Sequence, residues 1–132
     1  MRTAAVVGLG IGLAHVRALR RLRDRFSLVA VCDPDESRSM PVAERTGAEV
    51  LPFDDLLERD DIEIVHICTP PSMHLEQCLA ALAAGKYVVC EKPVVASLMD
   101  IDQLRDAETS APGRIMPIFQ YRFGNGDRKS VV

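Results

Sequence analysis

Short runs of almost wholly apolar residues recur along the chain, and they constrain its fold more than any other feature. The runs do not alternate apolar with polar residues, so both faces of each strand should be covered, as in parallel sheets. Strands are predicted at 3–8, 27–32, 48–51, 62–68, 86–90 and 115–119. Helical patterns fill the gaps at 12–24, 35–46, 54–59, 73–84 and 97–109. This alternation predicts an α/β fold, a doubly wound parallel sheet of about six strands with right-handed crossovers.

Several helix ends carry residues that typically begin or end a helix. Asp54 and Ser97 are predicted N-caps, and Gly85 is predicted to end the fourth helix. Pro41 is unfavourable inside a helix, so we expect a turn at 35–39 and a second helix that begins near Met40.

Length and charge limit the classes of function. A chain of 132 residues with 48% apolar and 27% charged residues is typical of one soluble globular domain. The net charge of −3 argues against nucleic acid or an anionic membrane as a partner, and no apolar run is long enough to span a bilayer. Arginines cluster on one predicted helix, where a solvated face is expected and a phosphate-binding patch is the alternative: Arg17, Arg20, Arg21, Arg23 and Arg25.

The cysteines show neither a C-x-x-C pair nor the spacing of a zinc site, so no metal is expected. We expect reduced, buried thiols in a cytoplasmic protein. The residues concerned are Cys32, Cys68, Cys78 and Cys90.

A glycine-rich loop follows the first predicted strand. Gly8 permits a tight strand-to-helix turn, and Gly10 lets a pyrophosphate approach the backbone at the N-terminus of the next helix. Gly12 comes one residue earlier than in the usual G-x-G-x-x-G pattern of dinucleotide-binding proteins. The shorter spacing also suits S-adenosylmethionine-dependent methyltransferases, but these usually carry an acidic residue where Val6 stands.

Asp33 closes the second strand and is a candidate acceptor for the hydroxyls of an adenosine ribose. Its carboxylate would repel a 2′-phosphate and so favours NAD over NADP, although Ser37 and Arg38 lie near enough to keep NADP open. The alternative is a turn residue before Pro34.

Lys92 follows the fifth strand and is the candidate catalytic residue. Its ammonium could donate a hydrogen bond to a substrate oxygen and stabilise charge there during hydride transfer, with Glu91 as its orienting neighbour. A surface ion pair is the commoner role of such a Glu-Lys pair.

Three histidines accompany these motifs. For His15 and His74, each at a helix start, capping or packing is the expected role of the residue taken alone. His66 lies within a strand and is expected to be a satisfied core residue.

Together the motifs resemble the N-terminal domain of the glucose–fructose oxidoreductase / inositol dehydrogenase (Gfo/Idh/MocA) family. The matching segments lie between residues 3 and 126: 8–15, 31–34, 69–74, 84–93 and 120–123. The resemblance implies an NAD(P)-dependent Rossmann domain with Lys92 between nicotinamide and substrate. It implies cofactor contacts at Gly8, Gly10, Ile11, Gly12, Asp33, Thr69, Pro70, His74, Glu91, Lys92 and Arg122.

The resemblance also implies a sugar, polyol or inositol-like substrate and a second α/β domain that builds the substrate pocket and a homo-oligomer interface. We therefore expect a dinucleotide-binding domain over 1–123, inactive without the second domain, followed by an irregular tail over 124–132. The last six residues match the translation of a common sequencing adapter, so the tail is expected to be an artefact of truncation. A non-catalytic dinucleotide-binding module with a regulatory role is the alternative function.

Overall fold

The computed structural model describes residues 1–119, a part of the chain that contains strands alternating with helices. The strands are β1 (Arg2–Val7), β2 (Phe26–Cys32), β3 (Glu49–Val50), β4 (Ile64–Ile67), β5 (Tyr87–Cys90) and β6 (Ile115–Pro117). The helices are α1 (Gly12–Arg21), α2 (Glu36–Thr46), α3 (Phe53–Glu58), α4 (His74–Ala83) and α5 (Leu98–Ser110), with a 3₁₀ turn at Pro71–Met73 before α4. Arg122, the 123/124 boundary and the 124–132 tail lie outside the described residues.

The strands form one parallel sheet in the order β3-β2-β1-β4-β5-β6, which confirms the predicted doubly wound fold. The chain winds outward in one direction from β1 and in the other from β4. Val7 pairs with Cys32 on one side and with Ile67 on the other, so the loops that follow these strands start at the same edge of the sheet. A crevice opens at such a switch point, and ligands of open α/β sheets bind there.

Strand β1 contributes to both core layers, which explains why its sequence is apolar throughout. Ala4 and Val6 face α1 and α2, whereas Ala5 and Val7 face the layer that contains α3, α4 and α5. All four side chains are at most 2% exposed. Helices therefore cover both faces of this central strand, as the apolar pattern predicts.

The prediction that the second helix begins near Met40 is wrong. The helix begins at Glu36 because the Asp35 side chain caps it, with Oδ1 accepting a hydrogen bond from the Ser37 N–H at 2.9 Å. Pro41 consequently lies inside α2. A strong cap thus outweighs the backbone hydrogen bond that Pro41 cannot donate.

The other predicted helix ends divide into confirmed and corrected ones. Ser97 caps α5 by accepting a hydrogen bond from the Asp100 N–H, and Gly85 follows α4 with φ of +77°. Asp54 is not an N-cap, since α3 begins one residue earlier and Asp54 lies in its first turn. There its carboxylate faces the positive end of the helix dipole. Within residues 1–119, no helix is both long and apolar enough to cross a membrane.

Candidate functional site

A crevice of about 910 Å³ lies at the carboxyl ends of β1, β2 and β4. Residues predicted from the sequence to contact a cofactor come together in its wall: Gly8, Gly10, Asp33, Thr69 and Pro70. They come from three separate segments of the chain. The sheet topology, rather than sequence proximity, therefore assembles this part of the site.

Gly8 is where the first loop passes closest to the loop after β4. Its φ is +87°, and a Cβ placed there would lie 2.7 Å from the carbonyl oxygen of Cys68. Gly12 is also constrained, because its Cβ would lie 3.0 Å from Cγ1 of Val6. Gly8 requires glycine because of its backbone conformation and its close approach to another backbone. Gly12 is crowded by side chains, and this explains the early third glycine: helix α1 packs directly onto β1 at that point.

The N-terminus of α1 opens into the crevice as an anion site. Gly10 has open space around it, since the nearest atom to a Cβ placed there would be Nη1 of Arg38, at 3.8 Å. Within residues 1–119, the backbone N–H groups of Gly10, Ile11 and Gly12 have no acceptor, and α1 has neither a side-chain cap nor an acidic residue in its first turn. Unpaired N–H groups and the positive helix end together suit a phosphate.

Asp33 holds the glycine loop in place. One carboxylate oxygen accepts a hydrogen bond from the Leu9 N–H at 2.8 Å, and the other accepts one from the Asp35 N–H at 2.8 Å. The turn role and the ligand role are therefore compatible, since each carboxylate oxygen can accept a further hydrogen bond from a ribose hydroxyl.

Ser39 is a site residue that sequence reasoning missed. Its side chain is fully buried and borders the crevice, and its hydroxyl has no hydrogen-bond partner among the described residues. Nearby, Arg38 is held by Asp35, with their charged groups 3.7 Å apart. An orphaned hydroxyl, an acidic residue and an open phosphate site in one crevice fit a dinucleotide. A serine within a helix gives no signal of this in the sequence.

Lys92 comes two residues after β5, which pairs with β4 in the sheet, and it is not among the residues that line the crevice. Its side chain is exposed, and its backbone N–H donates to Oε2 of Glu91 at 3.2 Å. The Glu91 carboxylate is buried and pairs with His15. The Glu-Lys pair is therefore not a surface ion pair: the carboxylate is directed inward and the lysine faces solvent.

His15, at the start of α1, lies between two side chains from other elements. Nε2 lies 2.7 Å from Oε1 of Glu91, and Nδ1 lies 2.9 Å from Nδ1 of His66 on β4. Burial, with a smaller contribution from His15, lowers the pKa of His66 to about 4. His66 is half-buried and borders a second cavity, so it is not the fully enclosed core residue that its strand position suggests.

His74 does not border the crevice. It is fully buried, and its ring nitrogens each lie 2.8 Å from a backbone carbonyl oxygen, one of Thr69 and one of Pro93. The ring thus connects the turn after β4 to the turn after β5. Thr69 is held further by its hydroxyl, which donates to Oε1 of Gln77 at 2.5 Å.

The cysteines form no disulfide; Cys68, Cys78 and Cys90 are buried as predicted, whereas Cys32 is half-buried, because it ends β2 beside the crevice. Burial, with a smaller contribution from Glu91, raises the pKa of the Cys68 thiol to about 12. A hydrogen bond with Cys78, together with burial, also raises the pKa of Cys90. A raised pKa keeps a thiol in its less nucleophilic neutral form.

Comparison with known proteins supports this interpretation of the crevice. Inositol 2-dehydrogenase 3 from Saccharopolyspora erythraea is 35% identical over 127 residues, which cover 94% of this chain and 38% of that protein. The chain thus spans little more than a third of the length of the curated relatives it matches.

Solved structures share the fold as well. WlbA dehydrogenase from Chromobacterium violaceum, in complex with NADH and UDP-GlcNAcA, superposes with a TM-score of 0.87 at 32% identity, covering 92% of this chain and 36% of that one. Scyllo-inositol dehydrogenase from Lactobacillus casei, with bound NAD(H) and scyllo-inositol, gives a TM-score of 0.88 at 27% identity, covering 98% and 39%.

The family model described as "Oxidoreductase family, NAD-binding Rossmann fold" matches residues 2–119. The match covers the whole sheet, the glycine loop and the Glu-Lys-Pro turn. The chain therefore belongs to the GFO_IDH_MocA oxidoreductase family, of which it carries the NAD-binding Rossmann domain.

Proposed function

We propose that this chain is the cofactor-binding part of an NAD-dependent oxidoreductase that transfers a hydride from a hydroxyl-bearing carbon of a sugar, polyol or inositol, while the hydroxyl loses its proton to water. One observation supports the proposal: the Gly10 N–H, which has no acceptor within residues 1–119, and the Asp33 carboxylate lie in the wall of one crevice, and the exposed Lys92 follows β5 at the same edge of the sheet. The inositol dehydrogenases among the relatives support this substrate class.

Asp33 is the proposed contact of the adenosine ribose. Its half-buried carboxylate disfavours a 2′-phosphate, so NAD is the proposed cofactor. Arg38 is the residue that could accommodate NADP, but Asp35 already neutralises it.

The N–H groups of Gly10, Ile11 and Gly12 are the proposed ligands of the pyrophosphate. Thr69 and Pro70 form the wall beside it, and His74 keeps that wall in register with the Lys92 turn. His74 and Glu91 therefore act by holding backbone in place, without bordering the crevice themselves.

Bound NAD supplies the hydride acceptor of the reaction. Lys92 is proposed to donate a hydrogen bond to the substrate oxygen and to stabilise the charge that develops on it. Arg122, which the family resemblance places near the same end, lies outside the described residues.

We further propose that the chain binds the cofactor weakly and does not turn over a substrate, since it spans about 38% of its relatives. Calorimetric titrations with NADH, NADPH and S-adenosylmethionine test which cofactor the chain binds. Saturable binding of NADH, tighter than that of NADPH, is expected. Binding of S-adenosylmethionine without NADH binding would overturn the proposal, and NAD reduction with a polyol would overturn the claim of inactivity.

A further inference from the structure

A hydrogen-bonded chain of side chains lies behind Lys92, built from three elements of the fold. It runs from His66 on β4 through His15 on α1 to Glu91, whose second oxygen accepts from the Lys92 N–H. The contacts from His66 to His15 and from His15 to Glu91 are 2.9 Å and 2.7 Å. The proposed function leaves His66 without a role.

The protons in this chain can be counted. An ionised Glu91 carboxylate only accepts hydrogen bonds, so Nε2 of His15 carries a proton. A single proton then lies between the two Nδ1 atoms. When His15 is neutral, His66 donates that proton; when His15 is an imidazolium, His15 donates it to the lone pair of His66. His66 can therefore partner His15 in either charge state.

The groups packed around these hydrogen-bonded side chains add no further charge to them. Cys68, just after β4, and Cys90 on β5 face Glu91. Burial raises the pKa of Cys68, and a hydrogen bond with Cys78 together with burial raises the pKa of Cys90, so both thiols stay neutral. His66 itself borders an apolar cavity of about 750 Å³, and within residues 1–119 its Nε2 makes no hydrogen bond. His15 is thus the side chain that pairs with the Glu91 carboxylate.

We propose that His66 is a positioning residue for Lys92, acting through His15 and Glu91. It fixes the imidazole of His15, which fixes the Glu91 carboxylate, which holds the Lys92 backbone at the end of β5. The role of Lys92 rests on the proposed function, but the coupling of His66 to the Lys92 backbone does not.

Two substitutions of His66 test the proposal on the same chain. His66→Leu fills the space and removes the polar partner of His15, whereas His66→Asn keeps a donor and an acceptor near the Nδ1 position. The readouts are the ¹H–¹⁵N resonance of the Lys92 amide and the dissociation constant for NADH. A thermal melt of each variant is the check that the variant is folded.

His66→Leu is expected to move the Lys92 amide resonance upfield and to weaken NADH binding by about three- to tenfold. The dissociation constant of His66→Asn for NADH is expected to stay within about twofold of that of the parent. An unchanged Lys92 amide in His66→Leu would overturn the proposal, and so would an Asn variant as impaired as the Leu variant.

A second background keeps the test decisive if His66→Leu folds poorly. His15→Gln retains a donor near Glu91 but cannot relay through an imidazole, so adding His66→Leu should cause no further shift of the Lys92 amide. A further shift would overturn the relay. If the parent chain does not bind NADH, the proposed function fails while the amide measurement still decides the role of His66.

Discussion

The glycine loop and the turn that carries Lys92 are built in different ways. At the glycine-loop end, the backbone N–H groups of residues 10–12 have no acceptor within residues 1–119, and Asp33 is itself held by backbone donors. At the lysine end, side chains from α1, β4 and β5 form a network behind Lys92. The first end depends on the path of the chain, and the second depends on which side chains are present.

This difference separates binding from chemistry. A backbone site can hold a phosphate whatever the neighbouring side chains are, provided glycine is present where the chain passes close to another strand. A side-chain network can be altered by single substitutions without moving the sheet. Substitution of a glycine at a close approach of two loops should therefore destabilise the fold, whereas substitution of Lys92 should leave the fold intact.

Gly8→Ala should give the largest effect. The substitution places a Cβ 2.7 Å from the carbonyl oxygen of Cys68 at a φ of +87°, so we expect a loss of about 4 kcal/mol of unfolding free energy. Gly47→Ala is the matched control, since its φ is +75° but no atom lies within 4 Å, and about 1 kcal/mol is expected. Urea denaturation measures both, and equal losses would contradict the close approach of the two loops.

The lysine end should make stability depend on pH through His66. Its folded pKa of about 4 lies below the reference value of 6.5, so the unfolded chain binds more protons between these values. Stability is therefore retained above pH 6.5 and falls by up to about 3 kcal/mol as the pH drops towards 4.

His66→Leu removes this contribution, so the parent should lose up to about 3 kcal/mol more unfolding free energy than the variant as the pH is lowered from 7 to 4. A pH slope that is the same in both proteins would show that His66 is not buried as a neutral ring.

Asp33→Asn should change the choice of cofactor more than the stability. Loss of the charge is expected to weaken NADH binding about tenfold while NADPH binding stays the same or tightens. Asp24→Asn, the same change at an exposed position outside the crevice, is the control. Calorimetric titration of both variants measures the ratio of the dissociation constants for NADH and NADPH. An unchanged ratio in Asp33→Asn would mean that Asp33 supports the turn and does not contact the cofactor.

Lys92→Gln should give the smallest effect on folding. The side chain is exposed and its backbone N–H is unaffected, so the unfolding free energy should change by less than about 0.5 kcal/mol. A loss above about 1 kcal/mol in urea denaturation would mean that the Lys92 side chain supports the fold, contrary to a role reserved for substrate.

The sequence predicted the glycine-loop end far better than the lysine end. Apolar strands, the glycine spacing and Asp33 follow from local geometry, and all lie where expected. The contact between His15 and His66 joins residues far apart in the chain, and only the pairing of β1 with β4 brings them together. Pro41 led to a wrong prediction of where α2 begins, because the cap at Asp35 outweighs the usual helix-breaking tendency of proline.

The central claim is that one dinucleotide contacts both the glycine loop and the turn that carries Lys92. A titration of the ¹⁵N-labelled chain with NADH, followed by resolved backbone amide resonances, tests it most directly. We predict saturable shifts with one dissociation constant at Gly10, Ile11 and Gly12 and at Lys92. Shifts confined to the arginine-lined hollow around Arg17 and Arg20, or no saturable shift at all, would contradict the account.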